Sequence, residues 1–208
     1  MNAKKEIKEI ERAGDYTWLL ATSKKKPAKK LENINGKMRA LYLIEDDAPK
    51  PEVYVDMDGV LVDFIAGVMK ELRINREPYI DEIDTFLSTA YGSTKKFWST
   101  LGWTSDGKKL WDTLKDLNTE ILSACPNKCT TTPSVAAGKK IWVKRNLKMS
   151  KGVNITTRRG KLKFVGPKHI LIDDYMKNVE AWKGAGGIAI HHKNALNTLN
   201  QLKKILLG

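Results

Sequence analysis

Cysteine is nearly missing from this chain: Cys125 and Cys129 are the only two in 208 residues. Two thiols cannot close a tetrahedral zinc site unaided, and the three histidines (His169, His191, His192) lie far along the chain. The expectation is a pair of reduced thiols in a cytoplasmic protein. Long hydrophobic runs are missing too. No stretch approaches the ~20 apolar residues of a membrane helix, and Met1-Asn-Ala-Lys-Lys5 leads into more charge, not into the apolar core of a secretory signal. These absences exclude a membrane-spanning protein and predict a soluble, intracellular one. They leave the oligomeric state open.

Negative charge is missing from one window. From Ile121 to Ile172 there is no Asp or Glu, against twelve Lys and Arg. The whole chain carries a formal charge of +13. Such an excess favours anionic partners: a nucleotide or other phosphomonoester, or nucleic acid at the basic surface. A solvated basic face is the plain alternative. The run Lys24-Lys-Lys-Pro-Ala-Lys-Lys30 has the same two readings, an exposed linker or a contact to nucleic acid.

What the chain does contain is organised around Val53-Tyr-Val-Asp-Met-Asp-Gly-Val-Leu-Val-Asp-Phe64. Val53, Tyr54 and Val55 favour a buried strand after the turn-forming Lys50, Pro51 and Glu52. Asp56 and Asp58 follow, and Gly59 permits a sharp turn of the backbone. Two carboxylates beyond the carboxyl end of a strand sit where open α/β sheets bind ligands. They repel unless a cation or a shared proton compensates them, and a hard ion such as Mg2+ suits all-oxygen ligands. One carboxylate can then serve as nucleophile and the other as general acid and base. The plain alternative is a strand ending in a solvated acidic turn.

Around this stretch the chain divides at about residue 50. Residues 1–50 form a basic N-terminal extension, with a short amphipathic pattern over Lys4 to Arg12, an apolar patch over Tyr16 to Ala21, and a helix or strand over Lys37 to Ile44. Residues 51–208 form one domain, with a small helical cap inserted over about 65–112. That insert is rich in aromatics, which either pack a core or stack on a nucleobase; Phe97, Trp98 and Trp103 are the stacking candidates. Strands follow at Thr119 to Ala124, Gly152 to Thr157, Lys168 to Asp174 and Gly187 to Ile190. Helices are expected over Leu110 to Leu117, Ser134 to Leu147, Tyr175 to Trp182 and Asn194 to Leu207, and a basic loop over Arg158 to Lys163. Strands alternating with helices predict an α/β fold with a parallel sheet.

Three strand ends then carry polar groups: Asp56 with Asp58, Ser123, and Asp173 with Asp174. Parallel strands bring such ends to one edge. Arg158, Arg159, Lys161, Lys163 and Lys168 compete as the cation facing a phosphoryl group. The string Asp-x-Asp-Gly-Val-Leu-x-Asp-Phe, the strand-closing Ser123 and the Asp173-Asp174 pair together resemble the haloacid dehalogenase (HAD) superfamily of phosphohydrolases. From about 53 to 192 the chain is similar to its 5'(3')-deoxyribonucleotidase branch, phage-type members included. Phe97-Trp98, Gly107-Lys-Lys-Leu-Trp111, Gly138-Lys-Lys-Ile-Trp142-Val, Asn178, Trp182 and Gly186-Gly187 carry that likeness, and Asn127-Lys-Cys-Thr130 departs from it.

The resemblance implies a HAD-like, Rossmann-type sheet with helices on both faces and a cap. It implies a Mg2+-dependent phosphatase, with Asp56 as nucleophile and Asp58 as acid and base. Mg2+ would sit on Asp56, the Asp58 carbonyl, Asp173 and Asp174. Ser123 and Lys163, which stands ten residues before Asp173, would hold the phosphoryl oxygens. Phe97, Trp98, Trp103 and Arg158 would meet the rest of the substrate. The expected substrate is a (deoxy)nucleoside monophosphate. The alternatives are a phosphatase for nucleic-acid 3'-ends and a nucleic-acid-binding protein on an idle fold of this kind.

Overall fold

The strand expected at Val53 lies in the middle of the sheet. The computed structural model describes residues 32–34, 37–39, 51–129, 131–148 and 152–207. The patterns over Lys4 to Arg12, Tyr16 to Ala21 and Lys24 to Lys30 fall outside these residues. From the extension, β1 (Glu32–Ile34) and β2 (Lys37–Arg39) pair antiparallel, so the strand alternative holds at the start of the Lys37 segment.

The main sheet comprises β3 (Glu52–Val55), β4 (Thr119–Ala124), β5 (Val153–Thr156), β6 (His169–Asp173) and β7 (Ile188–His191). Its order is β5-β4-β3-β6-β7 and every neighbouring pair is parallel, the α/β architecture expected. Four helices separate β3 from β4: α1 (Phe64–Leu72), α2 (Ile80–Ser88), α3 (Lys95–Thr100) and α4 (Gly107–Leu114). Then α5 (Thr132–Asn146) leads into β5, α6 (Met176–Gly184) into β7, and α7 (Ala195–Leu207) closes the chain. The segment expected as a basic loop after β5 is a 3-10 helix, Arg159–Phe164, because Thr157 holds its first turn: Gly160 N donates to Thr157 Oγ1 at 2.9 Å. No helix among the described residues is long and apolar enough to cross a membrane.

Both faces of the sheet are covered. Val53, Val55, Ile121, Ile170, Ile172 and Ile190 point into one core with Leu110, Trp142 and Leu199. Tyr54, Leu122, Leu171 and Ala189 point the other way, against Val179 and Trp182 of α6. The period of two explains why Ile170-Leu-Ile172 is apolar throughout: alternate residues face different cores.

Phe97 and Trp98, expected to stack on substrate, are instead core residues at 2% and 1% exposure. The reason is the crossing of α3 on α5 at Gly138, where a Cβ would stand 2.7 Å from both the Lys95 carbonyl oxygen and Trp98 Cβ. Helices this close drive the large side chains of α3 into the seam. Phe97 meets Phe86 at 4.9 Å, and Trp98 donates its indole N–H to the Gly92 carbonyl at 2.9 Å. Neither ring has a face left for a nucleobase. Trp103 is half-buried, edge-on to Trp142 at 4.9 Å.

Candidate active site

The chain leaves β3 through a tight loop. Asp56 N donates to Ile172 O at 2.9 Å, the last rung to β6. The amides of Leu61 and Val62 then both donate to Met57 O at 2.8 Å, which folds residues 57–62 back on themselves. Gly59 has φ +74°, a left-handed conformation that disfavours a side chain, and a Cβ there would collide with the Asp174 carboxyl. Asp63 ends the loop by capping α1, accepting from Ala66 N at 2.9 Å. The loop therefore turns Asp56 and Asp58 toward the sheet edge while Asp63 serves the helix.

Because β3 lies between β4 and β6, the ends of those strands flank it. Carboxylate oxygens of Asp56, Asp173 and Asp174 lie within 4.8 Å of one another. Asp173 is fully buried and held on both oxygens: Oδ1 accepts from Tyr175 N at 2.9 Å, Oδ2 from Lys161 Nζ at 2.6 Å, and Asn178 Nδ2 reaches both. Burial raises its pKa, and Asp56 raises it further. Asp174 is exposed as a residue, yet its carboxyl packs over Gly59. Desolvation there, with the charges of Asp56, Asp173 and Asp58, pushes it up to about 7. Asp58 is raised as well, chiefly by burial, against the pull of Lys139.

Two buried lysines face these acids. Lys161, 2% exposed, donates to Asp173 Oδ2 and stands 3.2 Å from Asp56 Oδ1. Burial opposes its charge, but Asp56 and Asp173 outweigh it and hold the pKa above the usual lysine range. Lys163, the residue implied by the resemblance, does not take this place. It is exposed, because the first turn of the 3-10 helix points Lys161 inward and carries Lys163 out to solvent. Arg158 is also exposed, its guanidinium over the Tyr175 ring at 4.6 Å. Ser123, fully buried at the end of β4, accepts from Lys139 Nζ at 2.9 Å.

Lys139 reaches the site from α5, and the sequence carries a signal for it. On α5 the buried residues are Val135, Gly138, Lys139, Trp142 and Val143, so this lysine sits on the apolar stripe of a helix. Nothing in the sequence separates Lys161 from Lys163; both fall in the same short basic run.

Among the described residues, only two buried side-chain polar atoms lack a hydrogen-bond partner: Asp56 Oδ1, which has the Lys161 ammonium at 3.2 Å as an ion pair, and Asp58 Oδ1. Both are acceptors when ionised, and both stand at this edge. A buried carboxylate oxygen held by no hydrogen bond, beside two further carboxylates, is the donor set a hard divalent cation requires, so Asp56, Asp173 and Asp174 fit one. The side chain of Asp58 lies outside that set. The edge thus combines a carboxylate oxygen held by no hydrogen bond, a carboxyl whose protonated form burial favours, a buried hydroxyl and buried ammonium groups.

No protein-family model matches the chain. No curated protein matches it either. Among solved structures it is similar to a hydrolase from Streptococcus pneumoniae TIGR4, at 13% identity and TM-score 0.47 over 75% of this chain and 100% of that one. It is similar to L-2-haloacid dehalogenase from Xanthobacter autotrophicus, at 13% identity and TM-score 0.43 over 68% of this chain and 76% of that one. A hydrolase from Pseudomonas syringae follows, at 14% identity and TM-score 0.40 over 75% and 99% of the two chains. Likenesses this slight support no chemistry, which rests on the residues themselves.

Proposed function

We propose that this chain is a Mg2+-dependent phosphomonoesterase acting on (deoxy)nucleoside monophosphates through an aspartyl-phosphate. The observation that carries the reading is the pair of buried oxygens that no hydrogen bond holds: Asp56 Oδ1, which faces the Lys161 ammonium at 3.2 Å, and Asp58 Oδ1, two residues apart on one turn. A structural role would give both a hydrogen bond; a reaction that consumes one and protonates through the other leaves them without. The nucleotide part of the reading rests on the motif resemblance over residues 53 to 192 and on the charge of the chain.

In the first step Asp56 attacks phosphorus, the ester P–O bond breaks, and the departing oxygen takes the proton of the Asp58 carboxyl. Burial raises the pKa of Asp58 against the pull of Lys139, which favours the protonated carboxyl that this step uses. In the second step a water gives its proton back to Asp58, its oxygen attacks phosphorus, and the bond to Asp56 breaks. Inorganic phosphate leaves and both carboxyls return to their starting states. Ser123 donates its hydroxyl proton to a non-bridging oxygen, and the Lys161 ammonium sits against the charge that builds there. A divalent cation on Asp56, Asp173 and Asp174 would neutralise the phosphoryl group and draw it to the nucleophile.

Phosphate release with Mg2+ should be measured on deoxynucleoside 5'- and 3'-monophosphates beside a 3'-phosphorylated oligonucleotide. Turnover of the monomers that is lost in Asp56→Asn is the expected result. Turnover of the oligonucleotide alone would favour the end-processing reading, which the exposed Arg158, Arg159 and Lys163 at the rim support. No metal-dependent release from any of them would sink both.

A further inference from the structure

An ammonium is costly to bury, and Lys139 is buried completely. Its neighbours on α5, Lys140, Lys144 and Arg145, are all exposed, so the helix had other places for positive charge. The position is set by three acceptors. Lys139 Nζ donates to Asp58 Oδ2, to Ser123 Oγ at 2.9 Å and to the Ala124 carbonyl at 3.0 Å. The Trp98 ring covers it at 4.7 Å from the centroid. A lysine ammonium has three N–H groups, and each has an acceptor. None remains for a substrate. Lys139 therefore acts through its neighbours or only as a cross-link between α5 and the strand ends.

What it does to those neighbours decides between the two. With Oδ2 of Asp58 engaged, the proton of that carboxyl belongs on Oδ1, the oxygen that is buried and unpartnered. With Ser123 Oγ accepting from Lys139, the hydroxyl proton is turned away from the lysine and is free to donate elsewhere. We propose that Lys139 is a positioning residue: it selects the oxygen of Asp58 that carries the transferable proton and aims the hydroxyl of Ser123. This rests on the phosphomonoesterase reading.

The test compares full-length Lys139→Met, Asp58→Asn and the double variant, all with Mg2+, on a deoxynucleoside monophosphate and on p-nitrophenyl phosphate. The first leaving group needs a proton; p-nitrophenolate does not. Lys139→Met should lower kcat on the nucleotide ~100-fold or more, the scale of general acid–base catalysis, with KM changed less than ~3-fold. On p-nitrophenyl phosphate it should give a burst of p-nitrophenolate stoichiometric with enzyme, then slow turnover, because only the second step still needs Asp58. Asp58→Asn should show the same burst. Adding Lys139→Met to Asp58→Asn should change the residual rate by less than ~3-fold, as expected of groups acting as one unit.

Equal losses on both substrates without a burst would overturn the proposal, as would a further tenfold loss in the Asp58→Asn background. Should Lys139→Met alone fail to fold, the double variant, which leaves no unpaired buried charge, still carries the comparison. A parental chain inert on every ester would sink the phosphatase reading; an active parent without this pattern sinks only the role of Lys139.

Discussion

Lys161 and Lys163 are separated by one residue in sequence and by the whole difference between a buried ion pair and a solvated surface. Lys161 Nζ lies 2.6 Å from Asp173 and 3.2 Å from Asp56, where it offsets two carboxylates that would otherwise repel. Lys163 faces water, where a charge is screened and interacts weakly. Lys161→Met should therefore lower kcat by roughly 100-fold or more, the effect of removing a donor aimed at developing charge. Lys163→Met should leave it within about twofold, as is usual for a surface change. Steady-state kinetics on both, with circular dichroism to check the fold, would decide. A large loss in Lys163→Met with Lys161→Met intact would restore the assignment that the resemblance implied.

At the scale of elements, the seam between α3 and α5 carries the site indirectly. It holds Trp98 over Lys139 and fixes α5 against the strand ends. Gly138→Ala would place a methyl 2.7 Å from the Lys95 carbonyl, backbone that cannot move aside without shifting α3. Overpacking of this kind costs about 1–3 kcal/mol, and urea unfolding should show it as a lower midpoint at unchanged slope. An unchanged midpoint would mean that α3 yields freely. The seam also explains what the sequence disclosed and what it hid. Strand identity, strand order along the chain and the carboxylates at strand ends follow from local pattern, because a buried parallel strand must be apolar and its end is where polar residues reappear. The fate of Phe97 and Trp98 does not, because aromatics at helical spacing look alike whether they face a core or a ligand. That choice was made by a glycine forty residues away in sequence. Lys139 was legible in principle, since a lysine on an apolar stripe contradicts the pattern around it. The turn that buries Lys161 and exposes Lys163 was not, since it depends on the hydroxyl of Thr157 and on distance to Asp56 and Asp173.

At the scale of the whole molecule, a chain of net charge +13 concentrates acid at one edge of its sheet: Asp56, Asp58, Asp173 and Asp174 gather there, with Lys139 paired to Asp58 and Lys161 to Asp56 and Asp173. Without a metal this cluster should work against stability, with a definite dependence on pH. Asp174 ionises near ~3.9 in an unfolded chain, whereas folding pushes it up to about 7. Between those values the folded state binds more protons than the unfolded one, so stability falls as pH rises across the window and levels off above it. Asp58 and Asp173, also raised, act in the same direction. His192 acts in the other, since burial lowers its pKa and stability is gained as pH rises toward ~6.5. The diagnostic quantity is therefore the difference between the parental chain and Asp174→Asn, in which His192 cancels. In EDTA, the parental Tm should fall relative to the variant by a few degrees between pH 5 and pH 8. Millimolar Mg2+ should remove that fall in the parental chain, because a cation that binds only the folded state replaces the proton as the partner of the carboxylates. Two parallel Tm profiles, unaffected by Mg2+, would mean that the cluster is too open to water to feel its own charge.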